Sequence, residues 1–154
     1  MIREQLDPKL IREFILAGKA MVTIENRQKG THKTLSFMKS THGDIWFTSI
    51  RGDKDKETRL PGFETKKNWL YCGILVVDKG RVVFKLTEKS KIPRQSETWR
   101  AIDWLVRNID CLGQYQGKVA FYHEGRCGRC GRELSDPTSI KLGIGPECRK
   151  KLGR

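Results

Sequence analysis

The residues best suited to chemistry lie near the C-terminus: His123, Cys127, Cys130 and Cys148. Two thiolates separated by two residues can turn a backbone knuckle around one metal ion. Cys148 follows after seventeen intervening residues, and His123 stands four positions before Cys127. Tetrahedral zinc takes four nitrogen and sulfur ligands. The spacing therefore predicts a Cys3His site, His123–Cys127–Cys130–Cys148, holding one Zn2+ per chain. Four protein ligands leave no position for water, so the expected role is structural rather than catalytic.

Other readings of the cysteines fit less well. A redox Cys-x-x-Cys pair normally opens a helix in a βαβ unit, whereas here Gly128, Arg129 and Gly131 suit a knuckle. A disulfide framework is disfavoured by the odd count of five cysteines and by an opening segment, Met1 to Pro8, that lacks a signal-peptide pattern. Cys72 lies in the apolar run Trp69 to Val77 and reads as a small buried hydrophobe; neither it nor Cys111 is expected to bind metal.

The elements that must position these ligands can be read from the intervening residues. Ser135 or Asp136 can cap a short helical turn with Pro137 at its first position. Gly143 and Gly145 permit close approach, and Pro146 opens a final helix. Cys148 falls in that helix's first turn, where the positive end of the dipole favours a thiolate. A knuckle plus a helix-borne ligand predicts a treble-clef-like zinc module.

The run from His123 through Cys127-Gly-Arg-Cys-Gly-Arg132, Leu134-Ser-Asp-Pro-Thr-Ser-Ile140 and Gly143-Ile-Gly-Pro-Glu-Cys148 resembles a small zinc-finger family of phages and their bacterial hosts. Its pattern is CGxCGR, L-x-DP-x-SI and GIGPxC. The family occurs in small phage proteins of mostly unassigned role and appended to larger DNA-processing proteins, some helicase-like. The resemblance covers residues 119–152 closely and the upstream part only loosely. It implies the same four ligands and, if the chain is phage-encoded, the cytoplasm of an infected bacterium.

A length of 154 residues predicts one ordinary domain with a small metal-held appendage: an α+β basic domain over 1–118 and a Cys3His module over 119–154 packed on it as one structural unit. The longest apolar run, Leu70 to Val77, is far short of a membrane span. Thirty-one basic against eighteen acidic residues give a formal charge of +13, which favours polyanionic partners, above all nucleic acid. Residues 79–100 hold seven basic and two acidic residues, and residues 121–154 hold eight and four.

Along the chain, Asp7 caps a helix that starts at Pro8 and closes at Gly18, with Leu10, Ile11, Phe14 and Ile15 on one face. Strands follow over 20–26, 34–39 and 44–50, and residues 51–68 read as a long exposed loop. The strand 69–77 turns through Asp78-Lys-Gly80 into a strand over 81–87. Ser96 caps a helix carrying Trp99, Ile102, Leu105, Val106 and Ile109. A last strand, 118–122, leads to His123. The fold class is α+β: an antiparallel sheet of about five to six strands, two packing helices and the zinc module.

No catalytic constellation is legible. His123-Glu124 before the cysteine pair differs from zinc deaminases, which need His-x-Glu and an open coordination position. The cluster Asp53-Lys-Asp55-Lys-Glu57 has the alternating charge of a solvated loop. The chain is therefore expected not to be an enzyme. The expected function is binding of nucleic acid, DNA favoured over RNA, or of a nucleoprotein. Lys85, Lys89, Lys91, Arg94, Arg126, Arg129, Arg132, Arg149, Lys150 and Lys151 are the expected phosphate contacts, with Trp46 or Trp69 as stacking platforms if exposed. The alternative is a phage protein that inhibits a host machine, such as a CRISPR-type defence nuclease or a polymerase, by direct protein binding.

Overall fold

Alternating apolar and polar side chains build seven strands in the computed structural model, which describes residues 4–51 and 69–153. The strands are β1 (Glu4–Leu6), β2 (Lys19–Asn26), β3 (Thr31–Lys39), β4 (Ile45–Arg51), β5 (Trp69–Asp78), β6 (Arg81–Lys85) and β7 (Val119–His123). They form one sheet in the order β1-β7-β2-β3-β4-β5-β6, every neighbouring pair antiparallel. Four helices accompany it among the described residues: α1 (Ile11–Ile15), α2 (Glu97–Arg107), α3 (Pro137–Leu142) and α4 (Pro146–Lys151).

Local chemistry sets the turns. Asn26 Oδ1 accepts from the N–H groups of Gln28 and Lys29, at 3.1 and 3.2 Å, turning β2 into β3. Lys79 and Gly80 both have positive φ, 51° and 80°. That is the geometry of a two-residue hairpin turn whose twist matches its flanking strands. Ser96 Oγ accepts from Trp99 N–H at 3.2 Å and starts α2.

One face of the sheet carries the core. Val22, Leu35, Phe37, Ile50, Leu75 and Phe121 are fully buried there against Ile11, Phe14 and Ile15 of α1 and Ile102 and Leu105 of α2. Burial of each such side chain contributes about 1.5–3 kcal/mol.

The sheet has seven strands rather than five or six. The added strand, β1, spans three residues and pairs with β7 at the far end of the chain, and so short an alternation leaves no periodic signal. The first helix is shorter than expected. Pro8–Leu10 form a 3-10 turn capped by Asp7, and α1 ends at Ile15 because Lys19 already pairs as the first residue of β2. β3 begins at Thr31, not Thr34. Its first residues are polar, and Lys33 is buried beside Glu97 (3.5 Å), so the apolar alternation is interrupted where the strand is intact. Lys118 precedes rather than opens the last strand. The boundary expected between 118 and 119 coincides with the start of β7, which lies inside the sheet between β1 and β2. Of the loop expected over 51–68, Arg51 is the last residue of β4, and 52–68, including Asp53, Asp55 and Glu57, lie outside the described residues.

Candidate metal centre

The chain leaves β7 and folds back on itself at once. Arg126 and Glu133 form an isolated antiparallel bridge, and Leu134 N–H reaches Gly125 O at 2.7 Å. Inside this small hairpin, Gly131 N–H donates to Cys127 O at 2.9 Å, closing the knuckle that carries Cys127 and Cys130. Asp136 Oδ2 accepts from Ser139 N–H at 3.0 Å and starts α3, with Pro137 at its first position. Of the two expected caps, Asp136 is the one used. Hydrogen bonds from the Ser139 hydroxyl and N–H hold its carboxyl below the usual carboxylate range.

Gly143 ends α3 with φ at 73°, a conformation open to glycine at little cost. Its carbonyl accepts from Gly128 N–H at 2.8 Å, tying the loop to the knuckle. Gly145 and Pro146 then open α4, and Cys148 sits in its first turn. The result is convergence. The sulfurs of Cys127, Cys130 and Cys148 all lie within 4.8 Å of one another. Two sulfurs on one tetrahedral ion with metal–sulfur bonds of about 2.3 Å are separated by about 3.8 Å, a spacing that falls inside the 4.8 Å bound on this cluster.

The surroundings favour ionised sulfur at one position. Cys127 is buried, which pushes its thiol up, but backbone N–H groups of Gly145, Cys130 and Arg129 outweigh that and bring it to about 7. Gly145 and Arg129 N–H each donate to Cys127 Sγ at 3.4 Å. Burial pushes the Cys148 thiol up, and the two neighbouring cysteines add to this against the Arg129 guanidinium, which donates to Cys148 Sγ at 3.6 Å. Were all three sulfurs ionised they would repel one another, and a shared cation would relieve that repulsion.

His123 is not brought to the cluster. It is fully buried, and both ring nitrogens are engaged by backbone. Nε2 lies 2.6 Å from Ile140 O, and Nδ1 accepts from Gly125 N–H at 2.9 Å. This pairing sets the neutral tautomer with the proton on Nε2. The ring also lies against Phe14, with centroids 5.9 Å apart. The reason is the parity of β7: Val119, Phe121 and His123 share one face, and Phe121 faces the core. Ending the expected strand at Tyr122 hid that parity. The thiols instead border a cavity of about 360 Å3 whose rim includes Glu133, Asp136 and Glu147.

The expected phosphate contacts separate into two groups. Lys85, Lys89, Lys91 and Arg94 are exposed at the end of β6 and beyond it, and Arg94 lies over the Trp99 ring at 5.9 Å. Arg126, Arg132, Lys150 and Lys151 are exposed on the knuckle and α4. Arg129 and Arg149 are half-buried and internally engaged. Arg129 donates to Cys148, and Arg149 donates to Ser139 Oγ at 3.0 Å and Ile144 O at 2.9 Å. Five strand spacings separate β6 from β7, roughly 24 Å. Trp46 is buried, 4% exposed, because Trp46, Thr48 and Ile50 form the core side of β4. It is therefore no stacking platform. Trp69 is exposed at 37%. Met38 and Phe47, exposed on neighbouring strands, were not singled out by sequence, although Phe47 alternates with Trp46 and Thr48. No helix among the described residues is long and apolar enough to cross a membrane.

No curated protein and no solved structure matches the chain. Residues 118–153, which hold β7, the knuckle and both short helices, match the model of a family of unknown function (DUF6011), and over this segment the chain is similar to that family.

Proposed function

We propose that the protein binds nucleic acid, with DNA preferred to RNA, through a basic surface braced by a structural zinc ion. The observation that carries the metal is the convergence of Cys127, Cys130 and Cys148 within 4.8 Å, with backbone N–H groups aimed at one sulfur. A set of soft thiolates in a small module selects zinc over magnesium or calcium, which take oxygen ligands. Zinc held by Cys127, Cys130 and Cys148 would tie the knuckle to α4 as a zinc finger does, in a treble-clef-like arrangement, and His123, whose two ring nitrogens bond backbone, would not be its fourth ligand.

The nucleic-acid reading rests on the charge of +13 and on exposed cations at both ends of the sheet. Each neutralised phosphate releases condensed counterion, so affinity must fall steeply with salt. Exchanging Lys150 and Lys151 for Gln should weaken binding to all sequences alike and flatten the salt dependence without changing metal content. Titration of labelled DNA and RNA across a salt series tests this. Absence of binding to either at low salt overturns the reading and leaves an acidic protein surface, such as that of a host nuclease or polymerase, as the partner.

A further inference from the structure

The sheet face turned away from the core carries the large apolar side chains left exposed among the described residues: Met38, Phe47 and Trp69, at 42%, 46% and 37%. Strand register places them side by side. Met38 pairs with Phe47, Ser49 with Tyr71 and Arg51 with Trp69. The Phe47 and Tyr71 rings lie 6.5 Å apart. The Arg51 guanidinium covers part of the Trp69 ring at 5.2 Å, and a bidentate ion pair with Glu124 fixes it, one of its two bonds being 2.8 Å.

Cations stand at both ends of this aromatic patch. Lys19 pairs with Met38 in register, so it shares the face. With Arg126 it lines a groove of about 450 Å3 that runs past Met21 and Met38 to Trp69. Lys85 pairs with Ile74, which pairs with Phe47, so Lys85 lies on the same face at the other edge. Glu124, the acidic residue in the groove, is already neutralised by Arg51. From β2 to β6 the face spans four strand spacings, roughly 19 Å.

From this arrangement we infer that the open face of the sheet is a binding surface for single-stranded nucleic acid. Its bases stack on Trp69, Phe47 and Tyr71, and its phosphates run from Lys19 and Arg126 to Lys85. The inference rests on the nucleic-acid reading above and specifies its surface and substrate class. The charge argues for this occupant, since an apolar face flanked by cations that form no ion pair among the described residues suits a chain that alternates aromatic bases with phosphates. A duplex keeps its bases stacked on each other and offers nothing to these rings. Stacking of one base on an aromatic ring is worth enough to be read in a single substitution.

The test titrates the whole protein with a fluorescein-labelled thymidine 12-mer and with a duplex of the same length. Trp69→Ala and Phe47→Ala should each weaken single-strand binding by roughly 5- to 100-fold and leave duplex binding within about 2-fold. Trp69→Phe, which keeps a ring, should restore most of the loss. These surface changes leave the core side of β4 and β5 intact, and thermal unfolding of each variant checks that. Equal losses on single strand and duplex, or none on either, overturn this inference while the nucleic-acid reading stands. No binding by the wild type overturns both. A wild-type dimer in sedimentation that Phe47→Lys dissociates, with single-strand binding unchanged, assigns the face to a second copy and likewise overturns the inference.

Discussion

The five cysteines stand in three environments, and their reactivity should report the site. Cys111 is exposed and belongs to no cluster of potential metal ligands among the described residues. Cys72 is fully buried, and loss of hydration pushes its thiol up to about 12. A thiol reagent at pH 8 should therefore modify Cys111 alone in the metal-loaded protein. Cys127, Cys130 and Cys148 should react after chelation, and Cys72 only after denaturation. Mass spectrometry of the modified peptides checks the order. The sign for Cys72 follows from the raised value: its buried neutral form contributes stability that is intact below about pH 9 and is lost as pH climbs toward 12. His123 carries a separate expectation. Because both its nitrogens bond backbone, His123→Ala should keep the metal yet lower stability by about 2–4 kcal/mol, through a cavity and an unpaired Ile140 carbonyl. Metal content and denaturant unfolding of that variant test both halves. The thiols could be read from their spacing because ligand chemistry restricts so few arrangements. The histidine could not, since its role depends on which face of a strand it occupies.

Between elements, close backbone contact seats the module on the sheet domain. A side chain at Gly143 would place its Cβ 2.7 Å from Phe14 Cδ1, and one at Gly128 would come within 2.8 Å of the same ring. Lys19 N–H donates to Gly128 O at 2.7 Å, so the knuckle is bonded to the first residue of β2. Gly143→Ala combines a positive φ with this crowding and should cost about 2–4 kcal/mol. Gly153→Ala, with nothing within 4 Å, should cost only the strain of its own turn. Paired urea titrations give the difference. The helical caps and hairpin turns were legible because Asp136, Ser96 and Lys79-Gly80 act on their immediate neighbours. β1 and the early start of β3 were not. One depends on pairing across the length of the chain, and the other tolerates a buried Lys33 through Glu97, which lies on a distant helix.

Across the whole molecule, the sheet and the module share β7. Its insertion between β1 and β2 means that a truncation at residue 118 removes an interior strand and should leave an insoluble fragment. Metal binding in comparable modules is worth about 10–16 kcal/mol at pH 7. That matches the whole stability of an ordinary domain, about 5–15 kcal/mol. A bound ion would therefore add far more than the small apolar cluster of Cys127, Ile144 and Cys148 to the contacts that hold residues 124–153 in place. The charge that predicts a polyanionic partner was plain in composition. The open aromatic face was not, because whether Trp46 or Trp69 faces outward depends on strand parity on either side of a bulge. The most direct test of the account is native mass spectrometry of the purified protein beside Cys130→Ser and His123→Ala. One zinc per chain is expected in the wild type and in His123→Ala, and none in Cys130→Ser. A folded wild-type protein whose mass shows no metal, or a His123→Ala variant that is folded and has lost it, would contradict the three-thiolate centre.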